Sequence, residues 1–458
     1  MNFRMPHTLT LLFVLMLGAL AATWIIPQGG FDTALTETGR SVVVPGTFAV
    51  AAERTFLTPW DFFRAIPRAF AAAQDIIFFL FIIGGVLAVI RATGTIDALL
   101  GRLLERFGTK PAVLIFAVTF VFALTSSAVG ASGEYIPFVL ILVALCRAMK
   151  MDAMTAVGMI VAGYGIGYGM ASFNQYTVVV AQGIAEVPTY SGAGLKLVLL
   201  VPFVLIGVHH VWSYARRVQA DPSKSLVKDV EVPGLSDAPA TYPRMTRVHV
   251  AVLAAFLGVL GTALYGVRFH GWYLVELGAS FLILGILAAA FGRIGPSEVA
   301  RRFVTGATDL VETALLVGVA RGIALVMEDG QILHTIVHAL SVPLSSVGPE
   351  LAAVGMLTMQ SILNLFVPSG SGQAFVTMPL MAPLGDLVGV SRQITVLAFQ
   401  MGDGFTNMLI PTNAVLMGIL GMAGIPYDRW FRFCLPLFLK LFVASALVLV
   451  VAVMVGYG

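Results

Sequence analysis

Residues 349–390 read PELAAVGMLTMQSILNLFVPSGSGQAFVTMPLMAPLGDLVGV. An apolar run gives way at Pro368-Ser369-Gly370-Ser371-Gly372 to small and polar residues, then resumes. Residues 110–150, KPAVLIFAVTFVFALTSSAVGASGEYIPFVLILVALCRAMK, break in the same way between Gly130 and Gly133. Such a segment either crosses a membrane twice or enters and returns on one side. Lys and Arg favour cytoplasmic loops, so flanking charge discriminates between the two. Arg91, Arg102, Arg106 and Lys110 precede the first segment, and Arg147 and Lys150 follow it. Both flanks therefore read as cytoplasmic and 110–150 as a re-entrant hairpin. Residues 327–349 hold no Lys or Arg, so 349–390 reads as a second hairpin entering from the opposite side.

The surrounding chain fits a membrane. Of 458 residues, 58% are hydrophobic and 11% charged, with mean hydropathy +0.93. About 25% charge is usual for a soluble domain, so this chain lacks the charge to cover a water-facing surface. A spanning helix needs about 20 apolar residues. Candidate spans are 8–26, 74–93, 195–213, 248–267, 271–291, 305–327 and 434–457. Two further segments, 152–185 and 391–421, are apolar but interrupted by glycines and polar residues, and read as broken helices. The fold class is thus an all-α polytopic membrane protein with about nine transmembrane helices and two opposed hairpins. The run 8–26 reads as a retained first span rather than a signal peptide.

With the N-terminus cytoplasmic and the C-terminus extracytoplasmic, 18 basic residues fall inside and 7 outside, Lys196 among the latter. The net charge of +3 is small and scattered, which excludes nucleic acid as a partner. Cys146 and Cys434 lie far apart and read as structural. The polar stretch 215–247 reads as a mobile cytosolic linker, and 27–58, with Val42-Val43-Val44-Pro45-Gly46, as an extracytoplasmic β-hairpin.

Shifting the second half back by 239 positions superimposes the breaks. Ser132-Gly133 falls on Ser371-Gly372, Glu134 on Gln373, Gly163 and Gly165 on Gly402 and Gly404, and Asn174 on Asn413. The expected division is therefore a first repeat over 1–214, the linker, an unpaired helix at 248–267 and a second repeat over 268–458. Because the hairpins open to opposite sides, the repeats are inverted. Inverted repeats with discontinuous helices meeting at the midplane are a transporter signature.

The breaks supply candidate chemistry for a small-molecule substrate. A helix that starts at a tip offers free N–H groups and a positive dipole end, which suit a carboxylate. This nominates Ser132, Gly133, Ser369, Ser371 and Gly372, with Glu134 and Gln373 just beyond. In 391–421, Gly402-Asp403-Gly404-Phe405-Thr406-Asn407 precedes Pro411-Thr412-Asn413. Asp403, Asn407, Thr412 and Asn413 are candidate contacts, matched by Asn174 in the first half. Sodium positions are expected near Gly165, Ser172 and Asn174, and near Thr406, Thr412 and Asn413. Charges at membrane depth are functional hypotheses. Glu134 and Asp403 could hold a proton, Na⁺ or a cationic group, and Arg321 could bind a carboxylate or neutralise an acidic residue structurally. Glu276, Asp309 and Glu312 read as residues near the interface. No zinc spacing, Walker loop or nucleophile elbow occurs, so no cofactor and no enzyme are expected. Coupling then falls to an Na⁺ or H⁺ gradient or to exchange. An ion channel is the rival class, but polar residues concentrated at mid-span favour an occluded site.

The motifs Pro368-Ser-Gly-Ser-Gly-Gln373, Met378-Pro379-Leu-Met-Ala-Pro383, Gly402-Asp-Gly-Phe-Thr-Asn407 and Pro411-Thr412 resemble the C4-dicarboxylate anaerobic carrier family. Ala320-Arg321-Gly322 and Thr23-Trp-Ile-Ile-Pro27 resemble its YfcC-type branch of basic amino acid antiporters. The resemblance implies the ion-transporter superfamily fold, a homodimer in the inner membrane, an elevator-like mechanism and Na⁺ or H⁺ coupling. It implies either an amino acid, basic in that branch, or a dicarboxylate as substrate.

Overall fold

A computed structural model describes residues 8–35, 41–44, 46–54, 56–107, 110–174, 176–233, 243–272 and 274–458. Residues 234–242 of the linker, Arg4 and Arg40 of the charge count, and Pro45 of the predicted β-hairpin lie outside the described residues. The chain opens with α1 (Thr8–Ile25). Two antiparallel ribbons follow in the 27–58 loop, β1 (Gly29–Gly30) with β4 (Ala49–Val50) and β2 (Thr33–Leu35) with β3 (Ser41–Val43). Next come α2 (Pro59–Ala72), α3 (Gln74–Ala92) and α4 (Thr95–Phe107). The first predicted hairpin consists of α5 (Pro111–Val129) and α6 (Phe138–Ala148), and the first broken helix of α7 (Ala153–Gly169) and α8 (Val178–Ile184). Long α9 (Ala193–Ala220) ends this half, and α10 (Arg247–His270) and α11 (Leu274–Gly292) lead into the next.

There α12 (Pro296–Thr308) and α13 (Val311–Asp329) meet at a 45° bend, so the straight span expected at 305–327 is not found. After α14 (Leu333–Ser341), the second hairpin is α15 (Pro349–Asn364) and α16 (Gly370–Val388). The second broken helix is α17 (Arg392–Thr406) and α18 (Ala414–Met422), and α19 (Tyr427–Met454) follows. The element order from α2 to α9 thus recurs from α12 to α19, and α9 and α19 are both 28 residues long. Five described helices are long and apolar enough to cross a membrane, or six with the bent pair. Nine were expected. Four of the nine expected spans, α3, α9, α11 and α19, are among the five, and the fifth is α5, read from the sequence as one arm of a hairpin. The expected spans missing from the five are the bent pair, α7 and α17, which stop at their breaks, and α1 and α10, whose apolar stretches are shorter.

The helices pack in two groups. One gathers α1, α2, α3, α12 and α13 with α10 and α11; the other gathers α5 to α9 with α15, α16, α17 and α19. Among the described residues the principal bridge is α18, which packs on α13. Gly421 of α18 lies flush against Thr313. The second group is nearly solid protein: α17 is buried on all sides, and so is most of α7.

The linker departs from expectation. Its described part docks. Asp229 forms a bidentate pair with Arg429 at the start of α19. Asp152, the N-cap of α7, accepts from Tyr214 and Ser225, at 2.5 Å and 2.6 Å. Val227 and Val232 are buried. Apolar anchors spaced among polar residues were too sparse to read as a pattern. Lys196, counted as an outer-loop charge, is instead buried in the first turn of α9. Cys146 and Cys434 are free and buried.

Candidate functional site

A cavity of about 400 Å³ opens where both hairpin tips and both helix breaks converge. Its wall takes Gly130, Ser132 and Glu134 from the first tip and Pro368, Ser369, Gly370 and Ser371 from the second. Tyr164, Tyr168, Tyr176 and Thr177 come from the first broken helix, and Asn407, Asn413 and Ala414 from the second. Most of these belong to the second packing group. Ile76 of α3 is contributed by the first group, so the cavity lies at their boundary.

At the first tip α5 ends in Gly130, whose φ of +79° is left-handed. A side chain there would also collide with Asn174, so two first-half breaks meet at a position only glycine fills easily. The chain then makes a 3-10 turn over Gly133–Tyr135 before α6 begins. Hence the free helix start expected at Ser132-Gly133 is not there. Glu134 folds back, and its Oε2 accepts the Ser132 N–H at 2.6 Å. That bond fixes the carboxylate in the cavity wall. Gly133 packs on Leu274 and does not reach the cavity.

The second tip matches expectation more closely. Ser369 is the N-cap of α16 and its hydroxyl accepts from Gly372 N. The N–H groups of Gly370 and Ser371, in the first turn, have no hydrogen-bond acceptor among the described residues and sit at the positive end of a 19-residue helix. Gly372 and Gln373 turn away from the cavity. Gln373 is buried and donates to the Gln360 side chain at 2.7 Å, tying α16 to α15.

The breaks sit later than predicted. The first lies at 170–177, so Gly163 and Gly165 are still helical while Ser172 and Asn174 fall in the break, and Asp403 is still helical, one turn before the second break. Backbone freed by a break must find donors and acceptors inside the protein. Ser127 of α5 serves the first break, donating to Met170 O at 2.7 Å and accepting from Ser172 N. Trp430 and Tyr427 of α19 serve the second, donating to Met408 O and Leu409 O. Thr412 donates to Leu365 O and so joins the break to hairpin two.

The two asparagines cap the chain leaving each break. Asn413 Oδ1 accepts from Leu416 N as the N-cap of α18, and Asn174 Oδ1 accepts from Tyr176 N. Most of the expected sodium positions are therefore committed to the fold. Ser172, Thr412 and Asn413 spend their polar atoms on these bonds, and Gly165 packs against Met408. Asn413 still reaches the cavity, and its Nδ2 donates to Asn407 Oδ1 at 2.6 Å. Asn407 Nδ2 in turn donates to Asp403 Oδ1 at 3.2 Å. A chain of amides thus connects the cavity to the buried carboxylate of Asp403, which is 0% exposed.

Arg321 stands apart. It pairs with Glu328 at 3.0 Å, one helical face along α13, and does not line the cavity. Conversely, the sequence reading did not nominate the tyrosines. Tyr164 and Tyr168 are four residues apart and share one face of α7. Burial all round α7 leaves no apolar stripe from which that face could be told.

Two inward-facing tips, two broken helices and one shared cavity within a multi-pass helical chain define a membrane transporter. The chain belongs to the family described as C4-dicarboxylate anaerobic carrier, DcuC, which matches residues 5–454. This is the family whose motifs the second hairpin carries. The chain is 33% identical over 495 residues to the Escherichia coli (strain K12) protein named "Putative basic amino acid antiporter YfcC", covering 100% of this chain and 98% of that one. It is 28% identical over 499 residues to an uncharacterized protein of Haemophilus influenzae (strain ATCC 51907 / DSM 11121 / KW20 / Rd), covering 99% and 97%. Among solved structures it resembles the Alcanivorax borkumensis YdaH transporter, with a TM-score of 0.44, 16% identity and 99% of each chain covered. It also resembles Neisseria gonorrhoeae MtrF, with a TM-score of 0.43, 16% identity, and 98% and 95% covered.

Proposed function

We propose that this protein is a secondary active transporter of a small amino acid, basic amino acids included, driven by an ion gradient or by exchange. The observation that carries the substrate class is the charge of the cavity wall. Among its lining residues there is one carboxylate, Glu134, and no Lys, Arg or His. An α-carboxylate fits the free Gly370 and Ser371 amides. A cationic group fits Glu134 and the faces of Tyr164, Tyr168 and Tyr176. A C4-dicarboxylate needs a second anion site, and Arg321, nominated for it from the sequence, is elsewhere. Competition in proteoliposomes decides between the two: arginine or ornithine should displace a labelled amino acid, and succinate should not. Displacement by succinate alone overturns the reading.

The transport geometry belongs to the same proposal. The repeated element order supports an inverted repeat, and with the loop charges it supports two hairpins re-entering from opposite faces of the inner membrane. The segregation into two groups with a cavity at their boundary suits an elevator movement of the second group against the first. The first group would then be the fixed body, and the homodimer contact would lie there. Crosslinks between α18 and α13 that arrest uptake would support this; crosslinks that leave uptake intact would count against it.

A further inference from the structure

Lys440 stands midway along α19 and its side chain is exposed. Among the described residues it pairs with no carboxylate. Its hydrogen-bond partner is His210 of α9, whose Nδ1 lies 3.5 Å from Lys440 Nζ. The other ring nitrogen, Nε2, is 2.9 Å from Phe433 O. A carbonyl only accepts, so the ring proton is on Nε2 and Nδ1 is left to accept from the ammonium. The imidazole is then neutral: it orients Lys440 without balancing its charge. An unbalanced charge within an apolar span is costly, and such residues are rarely left without a counter-charge.

The neighbourhood adds to the charge. His209, Ser213 and Arg217 follow one another at four-residue spacing on α9, which sets them on one ridge beside His210. His209 Nε2 is 3.5 Å from Ser213 Oγ, and Arg217 Nε donates to Ser213 O at 3.2 Å. His209 and Arg217 are exposed. The charged groups near enough to act on His210 are Lys440, Arg217 and His209, all basic. At this end of the two helices Asp152 is taken up by Tyr214 and Ser225, and Asp229 by Arg429. Asp428 stands one turn before Arg432 on α19, at the far edge of the patch. Away from this end both helices turn apolar while staying exposed, through Leu205 and Val201 on α9 and Val443 and Leu447 on α19. The helices run antiparallel, since His210 meets Lys440 while Tyr214 meets Phe433, so the two basic ends lie together and the two apolar strips lie together.

A basic end continued by an exposed apolar strip matches an anionic amphiphile. We propose that this face of α9 and α19 binds an anionic phospholipid, with its phosphate at Lys440, Arg217 and His209 and its acyl chains along Leu205 and Val443. Arginine and lysine together give a phosphate both a planar fork and a point charge. A zwitterionic headgroup brings its own cation to a patch that is already positive, so an anionic lipid is preferred. Depth is consistent with this. Lys440 lies about 12 Å beyond Arg432 along the helix, and a lysine leans toward the N-terminal end of its helix and snorkels. Its ammonium therefore reaches toward the level of Arg432. The docked linker leaves α9 at this same end, the end expected in the cytoplasm, where anionic lipids attract basic residues. None of these residues lines the central cavity, so lipid binding does not depend on the substrate reading.

The test uses the delipidated full chain in a neutral detergent, titrated with phosphatidylglycerol or with phosphatidylcholine of the same acyl chains. Bound lipid is counted by native mass spectrometry and Tm is followed in parallel. Phosphatidylglycerol should bind saturably, raise Tm and outcompete phosphatidylcholine by about tenfold. Lys440→Met, which keeps the length and apolar stem, should lose that preference without lowering the lipid-free Tm. Arg102→Gln, an exposed arginine on α4, should keep it. Equal binding of the two lipids, or an unchanged preference in Lys440→Met, overturns the site. Displacement of phosphatidylglycerol by inorganic phosphate at similar concentration overturns it too, because the anion alone would then suffice. So does a lipid-free dimer that Lys440→Met dissolves, which would give this face to a second copy of the chain. If Lys440→Met does not fold, an unchanged preference in Arg217→Gln overturns the proposal instead.

Discussion

Gly404 of α17 rests on the backbone of Gly169, the last residue of α7, so the two broken helices touch main chain to main chain. A Cβ at Gly404 would overlap the Gly169 amide, and backbone on both sides cannot give way. Gly404→Ala should therefore destabilise the protein by about 1–3 kcal/mol, the usual cost of overpacking a core. It should also move the Asn407–Asn413 pair, since both follow on the same helix and break. A lowered Tm together with reduced uptake checks this; a neutral outcome would mean that the crossing has slack.

Glu134 is the one carboxylate in the cavity wall, held by Ser132 N. Glu134→Gln keeps its size and can keep that bond. Binding of a cationic amino acid should weaken by about 2 kcal/mol, as expected for loss of a charge-assisted contact. Binding of a neutral amino acid should change much less. Calorimetric titration with arginine and with alanine provides the comparison, and equal losses for both would place Glu134 in a structural role.

Asn413 does two things at once, capping α18 and donating to Asn407. Asn413→Ala should cost about 1 kcal/mol through the lost cap, while Asn413→Ser retains the cap and loses the reach to Asn407. If uptake fails in both and Tm falls only in the alanine variant, the amide chain to Asp403 matters beyond stability.

Arg321 pairs with Glu328 outside the cavity. Arg321→Gln should leave substrate affinity unchanged. A raised KM with unaltered folding would return Arg321 to the binding site and favour a dianionic substrate.

Arg429 holds the carboxyl of Asp229 down at about 2, well below its ordinary 3.8. A carboxylate depressed in the docked state contributes stability above its undocked value and loses it as pH falls through the docked one. The linker should therefore stay docked above about pH 4 and release progressively toward pH 2. Pepsin cleavage within 225–233 across that range is the readout. Arg429→Ala should make the segment sensitive already at pH 4.

The sequence alone determined the class and the outline. Low charge forced a membrane setting, because lipid is the one solvent that such a surface suits. Apolar runs interrupted at 110–150, 152–185, 349–390 and 391–421 located nearly every element of the cavity, since glycine, proline and small polar residues mark where an apolar helix stops. The motifs around Pro368 and Gly402 determined the family. Which side chains meet was decided only by the tertiary structure. α7 and α17 are buried on nearly every face, so no periodicity separates the wall of the cavity from the wall of the core. Tyr164 and Tyr168 therefore went unnoticed, while Arg321, costly at membrane depth from sequence alone, found its partner seven residues along its own helix. Ser132 and Ser371 are matched in the repeat, yet one follows Gly130 into a 3-10 turn and the other starts a helix. Each tip meets a residue of the first broken helix, Asn174 at Gly130 and Thr177 at Gly370, contacts between residues far apart in the chain that local sequence does not encode.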